Sequence, residues 1–124
     1  MYIYSLKSQD KLNTCHIDLV RLFNKAIEYR DIKIICGRRG KKAQDKAFNV
    51  GYSTVQYPHS KHNRHPDSMA VDATPCPLNW KDLDAFRELG NFILGLAAGM
   101  DIEIEWGGNW DNFPDFAHYQ LKRG

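Results

Sequence analysis

Cysteine is scarce in this chain. Cys15, Cys36 and Cys76 are odd in number, widely separated and without a Cys-x-x-Cys pair. Such a set supports neither a disulfide framework nor a cysteine zinc site, so all three read as small apolar residues in or near a core. Long hydrophobic runs are missing too. The longest, FILGLAAGM (92–100), follows Arg87 and Glu88 and is far shorter than the ~18–20 residues that span a bilayer. The first residues, MYIYSLKSQDKL, lack the basic start, apolar stretch and small-residue cleavage site of a secretory signal, so synthesis and retention in a cytoplasm are expected. Charge of one sign is also lacking. Seventeen Lys+Arg against 15 Asp+Glu leave a net charge of +2, too little for a nucleic-acid-binding surface. The basic string GRRGKK (37–42) therefore reads as a solvated loop. Repeats, low-complexity tracts and linkers are absent, so residues 1–124 are expected to form one domain.

What is present suits a packed core. Apolar residues make up 43% of the chain, with three Trp, six Tyr and six Phe, which excludes a disordered polypeptide. Leu19, Leu22, Phe23, Ala26 and Ile27 fall at helical spacing within residues 15–30, with Thr14 as the expected N-cap. IKIIC (32–36) reads as a buried strand ending at Gly37. Residues 41–51 read as a helix closed by Gly51. A loop with Pro58 and Pro66 follows over 52–68, then a strand at MAVDA (69–73). The longest helix is predicted over 79–100, with Leu83, Phe86, Leu89, Phe92, Ile93 and Leu96 on its apolar side. IEIEW (102–106) alternates like a half-buried strand, and FAHYQL (116–121) is the last. This order predicts an α+β domain whose helices cover one side of a small antiparallel or mixed sheet.

Two stretches carry polar residues in apolar surroundings. In YPHSKHNRHPDSMAVDATP (57–75), His59, His62 and His65 recur every third residue, yet the two prolines exclude a helix. Strand alternation sets Ala70 and Asp72 on one side and Val71 on the other. A carboxylate flanked by Ala70, Val71 and Ala73 needs a cation or strong donors. A salt bridge or a turn into Pro75 would satisfy a lone aspartate, but histidines seven and ten residues upstream favour a metal. In WGGNWDNFPDFAHYQL (106–121), Asp115 and His118 lie three apart. A catalytic zinc commonly has three protein ligands and one open position. His62 or His65, with Asp72 and His118, would supply the three, and Asp115 a proton-accepting carboxylate.

SKHNRHPDSMAVD (60–72) resembles the Ser-x-His-x-x-Gly-x-Ala-x-Asp signature of the M15 zinc peptidases, the D-Ala-D-Ala carboxypeptidase and L-alanyl-D-glutamate endopeptidase group. DFAHYQL (115–121) is similar to their closing Asp/Glu-x-x-His segment. IICGRRGKKAQ (34–44) is similar to their strand ending in Gly-Tyr-Arg-Ser before a Gln, and residues 12–28 resemble the leading helix of the small phage endolysin branch. The resemblance runs from about residue 8 to residue 121 and leaves no room for a separate cell-wall-binding domain. It implies the M15 (hedgehog/DD-peptidase-like) fold, one Zn2+ held by His62, Asp72 and His118, Asp115 as general base and Arg39 as the cation facing the oxyanion. Arg38, which falls where the family has an aromatic residue, is the competitor. Ser60 and Gln44 match motif positions and are expected behind the ligands or against substrate.

Two departures stand out. Ser68 replaces the usual glycine. The signature's spacing counted back from Asp72 reaches His65, whereas Ser-x-His selects His62 and requires three extra loop residues; His62 is preferred, with His65 as the alternative. The implied function is hydrolysis of peptidoglycan stem peptides by a phage endolysin of L-alanyl-D-glutamate endopeptidase type. The alternatives are a D-Ala-D-Ala carboxypeptidase and a non-catalytic metal-bearing peptidoglycan-binding module. The implied partner is bacterial peptidoglycan, with no nucleic acid and no stable membrane association. A monomer is expected, held in the host cytoplasm until release onto periplasmic or cell-wall peptidoglycan.

Overall fold

The computed structural model describes residues 1–123. Four helices, α1 (Leu6–Leu12), α2 (Ile17–Ala26), α3 (Lys41–Asn49) and α4 (Leu83–Gly99), accompany four strands, β1 (Ile32–Cys36), β2 (Ala70–Pro75), β3 (Ile104–Trp106) and β4 (His118–Leu121). The strands form one sheet of order β1-β2-β4-β3 in which every neighbouring pair is antiparallel, deciding between the two sheet types expected.

The helices form where apolar spacing and caps coincide. In α2, Leu19, Leu22, Phe23 and Ala26 are all buried. Its N-cap is His16 rather than Thr14, the ring Nδ1 accepting from the Asp18 backbone N–H at 3.0 Å. Thr14 instead donates to the Lys11 carbonyl and accepts from the Arg38 N–H. The short helix α1 was not expected, because only Leu6 and Leu12 mark its spacing and Leu6 is exposed. It is capped by Ser5, and the hydroxyl of its buried Ser8 receives the Ile34 N–H of β1 at 3.1 Å. Helix α3 ends as expected, with Gly51 at a φ of 86° just past its last turn. Helix α4 starts at Leu83 rather than 79, since Asn79 caps a turn onto Lys81 and Asp82 caps the helix through Ala85.

One sheet face packs on α2 and α4. Ile32, Ile34, Val71, Ala73, Ile104, Trp106, Tyr119 and Leu121 meet Leu19, Leu22, Phe23, Leu89, Ile93 and Ala97 in a single buried cluster. Phe23 and Tyr119 sit edge to face, their centroids 5.4 Å apart. Each Val, Leu, Ile or Phe side chain of the cluster contributes roughly 1.5–3 kcal/mol by leaving water. The opposite face carries residues of the other parity, and these position the site.

Candidate metal centre

Register places chemistry on that second face. Cys36 stands opposite Asp72, and Asp72 opposite His118, so three strands contribute one row. The next row is Ala70, Gln120 and Glu105. The placement of Cys36 corrects the expectation of an inert core thiol. Ile34 pairs with Ala73 on the helix side, and simple alternation would send Cys36 there as well. A bulge between Ile34 and Cys36 inserts one residue and turns Cys36 over to face Asp72. Burial raises the Cys36 pKa, but the His62 hydrogen bond and charge outweigh it and hold the thiol below its ordinary value. Cys15 and Cys76 lie away from the row, and all three cysteines are free.

His62 arrives from a 3-10 turn, Lys61–Asn63, capped by Ser60. The Ser60 hydroxyl accepts from the His62 N–H at 3.1 Å, while the Asn63 side chain accepts from the Ser60 N–H. This gives Ser-x-His its local meaning: the serine fixes the turn that aims the ring. His62 is 1% exposed, whereas His65 and His59 are exposed. Gln44, fully buried, donates to the Ser53 hydroxyl and the Val55 carbonyl and accepts from Asn63, so it braces this loop instead of facing substrate.

His62 Nε2 and His118 Nδ1 each lie 3.2 Å from the same oxygen, Asp72 Oδ1. Their outer nitrogens decide what this means. His62 Nδ1 is 2.7 Å from the Gly37 carbonyl, which can only accept, so the ring N–H is there. Gly37 must be glycine, because a Cβ would stand 2.2 Å from the Lys11 carbonyl oxygen. His118 Nε2 is 2.8 Å from Gln120 Oε1 and likewise donates. Two neutral imidazoles therefore aim lone pairs at a carboxylate oxygen. That arrangement is repulsive unless the rings are doubly protonated or a cation lies among them. With no cation, His62 is pulled up to about 10: burial opposes the charged ring, but Asp72 outweighs it. Burial works equally against the Asp72 charge, yet the two histidines hold its pKa well below the usual carboxylate range. For a metal with N and O ligands at about 2.0–2.1 Å, a tetrahedron separates donor atoms by about 3.3–3.4 Å, close to both observed spacings. The nitrogen and oxygen donor types suit a zinc-like cation, and both histidines match the spacing to Asp72, while the His62 and His118 nitrogens stand wider apart than that tetrahedron sets them. Among the described residues, donor atoms within 4.8 Å of one another form two groups that share Asp72: Cys36 with His62, and Asp115 with His118.

Asp115 is positioned by backbone. Its N–H donates to the Gly107 carbonyl at 2.9 Å, and its own Oδ1 accepts from Ala117 at 3.3 Å. A Cβ on Gly107 would lie 2.4 Å from the Asp115 carbonyl oxygen, so the close approach requires glycine. Burial, and then the Asp72 charge, raise the Asp115 pKa above its ordinary value. Arg39 reaches Asp72 Oδ2 at 3.5 Å, and its buried Nε has no hydrogen-bond partner among the described residues. Arg38 turns away to the Arg64 carbonyl.

Two cavities meet at Arg39, Tyr52 and Asp115. One, of about 280 Å³, has a cationic and aromatic wall that includes Lys61, Arg64, Trp110 and Phe113. The other, of about 630 Å³, is more apolar, with Ile35, Ala47, Trp80 and Ala117. No helix among the described residues is long and apolar enough to cross a membrane.

A family model described as phage L-alanyl-D-glutamate peptidase matches residues 1–123. Among solved structures, the chain is similar to the Serratia marcescens L-Ala D-Glu endopeptidase ChiX, with 27% identity and a TM-score of 0.81, covering 97% of this chain and 90% of that one. No curated protein sequence matches.

Proposed function

The chain belongs to the phage L-alanyl-D-glutamate peptidase family, and from that premise we propose a zinc-dependent endopeptidase that hydrolyses peptidoglycan stem peptides at the L-alanyl-D-glutamate bond. The observation that carries this reading is the convergence of His62 Nε2 and His118 Nδ1 on Asp72 Oδ1, beside two cavities and a half-buried Asp115. His62, Asp72 and His118 are the proposed ligands of one Zn2+. When bound, zinc supplies Lewis-acid polarisation and makes water a stronger acid.

The remaining steps belong to the chain. Asp115 takes the proton of the attacking water and delivers it to the leaving amine. Its raised pKa makes the carboxylate a stronger base towards the water's proton, while the protonated group stays acidic enough to pass that proton to the amine. Arg39, which lines both cavities, donates to the negative charge that develops on the scissile carbonyl oxygen. All of these side chains come from one chain, so a monomer suffices. Bacterial peptidoglycan is the substrate, reached after synthesis in the host cytoplasm.

Mass spectrometry of fragments from defined peptidoglycan tests the bond. Release of peptides with a new N-terminal D-glutamate is expected. Release of D-alanine alone would identify a D-Ala-D-Ala carboxypeptidase, and intact peptidoglycan a binding module. A chelator should abolish the cleavage, and zinc should restore it.

A further inference from the structure

Beyond the ligands runs a polar chain that the reaction does not use directly. In the row adjoining the metal row, Glu105 of β3 is the register partner of Gln120 of β4, and Gln120 is two residues from His118 on the same face. The Gln120 side-chain N–H donates to Glu105 Oε1, and Gln120 Oε1 accepts from His118 Nε2 at 2.8 Å. We infer that Glu105, acting through Gln120, sets the tautomer of His118 and thereby makes it a competent metal ligand. This rests on the zinc-site reading above.

The reasoning is one of donor direction. A carboxylate accepts and cannot donate, so it turns the NH2 end of the Gln120 amide towards β3. The amide oxygen must then face His118. An oxygen accepts only from a ring nitrogen that carries hydrogen, so the proton sits on Nε2 and the lone pair on Nδ1, the atom 3.2 Å from Asp72. Without Glu105 the amide is free to flip and offer NH2 to Nε2. The proton then moves to Nδ1 and blocks the ligand atom. Glu105 is thus a positioning residue two side chains removed from the metal, and its charge is what polarises the chain.

Zinc dissociation constants, measured by chelator competition on purified protein, test this without relying on turnover. Glu105→Gln preserves shape but can face either way, and Gln120→Leu breaks the chain. Each should weaken zinc binding by roughly 10–100-fold. The informative variant is the exchange Glu105→Gln with Gln120→Glu. There the amide donates from position 105, the carboxylate at 120 accepts from His118 Nε2, and most of the lost affinity returns. Wild-type affinity in Glu105→Gln, or an exchange no better than Gln120→Glu alone, overturns the inference while leaving the ligands intact. A wild type that binds no zinc, or His118→Ala binding like wild type, overturns the site reading and this inference with it.

Discussion

Replacing Asp115 by Asn separates a proton carrier from a metal ligand. The amide is nearly isosteric and keeps an oxygen where Asp115 Oδ1 accepts from the Ala117 N–H at 3.3 Å. The Asp115 N–H to Gly107 and the His118 N–H to the Asp115 carbonyl belong to the backbone and persist. The local fold should therefore change by less than about 1 kcal/mol, one ordinary hydrogen bond. What disappears is proton transfer, typically 10²–10⁴-fold in rate. That corresponds to about 2.7–5.4 kcal/mol of barrier at 1.36 kcal/mol per decade. The assay is kcat on a defined muropeptide alongside zinc per mole of protein. The expected result is kcat down at least a hundredfold with one zinc retained. The pH profile should change too. The base works deprotonated, so wild-type activity falls as pH drops through the pKa of Asp115 in the zinc-loaded enzyme. The Asn variant should lose this limb. In zinc-free protein the sign for stability is the reverse of the usual aspartate case. A folded pKa above the unfolded one makes the ionised group a burden above the folded pKa, relieved as pH falls below the ordinary value of 3.8. Zinc-free Asp115→Asn should then melt higher than wild type at neutral pH, with the gain lost in acid. Activity within tenfold of wild type, or loss of most of the zinc, would refute the assignment.

Other expectations follow from the same geometry. His62→Ala should lose zinc by metal analysis and His65→Ala should keep it, since only His62 meets Asp72; the opposite pattern would move the ligand to the exposed histidine. Arg39→Ala should lower kcat about 10²–10³-fold, or about 2.7–4 kcal/mol, while Arg38→Ala stays within a few-fold; equal effects in single-turnover assays would remove Arg39 from the oxyanion role. Gly37→Ala would force a Cβ to 2.2 Å from the Lys11 carbonyl and disturb the acceptor of His62 Nδ1. It should cost about 1–3 kcal/mol in denaturant unfolding and weaken zinc binding as well; a variant with wild-type values of both would show that this contact is soft.

Much of the architecture was legible because local rules and tertiary packing agree. The apolar spacing of α2 and α4 matches their buried stripes. The alternation in MAVDA and FAHYQL sends Val71 and Tyr119 inward and leaves Asp72 and His118 on the other face. Gly51 ends α3 because only a residue tolerant of positive φ fits there. The helix caps were less legible. Thr14 follows the rules for a cap and His16 does not, and the choice turns on what else each can reach. Thr14 is drawn to Lys11 and Arg38, neither of which its own helix contains.

By itself, then, the amino-acid order determined the element types, the α+β class and the small set of polar residues stranded among apolar ones: His62 or His65, Asp72, Asp115 and His118. Each follows from periods of 2 or 3.6 and from the cost of an unpaired charge, which are local properties. Only the tertiary structure decided how these groups meet. It buried His62 and left His65 in solvent through a serine-capped turn. It turned Cys36 over to Asp72 by a one-residue bulge, an event invisible to alternation because alternation is what a bulge breaks. It set Glu105 beside Gln120 across two strands, so that a surface-looking acid in IEIEW polarises the ring of His118. Pairing register is a relation between distant segments, and no window along the chain contains it.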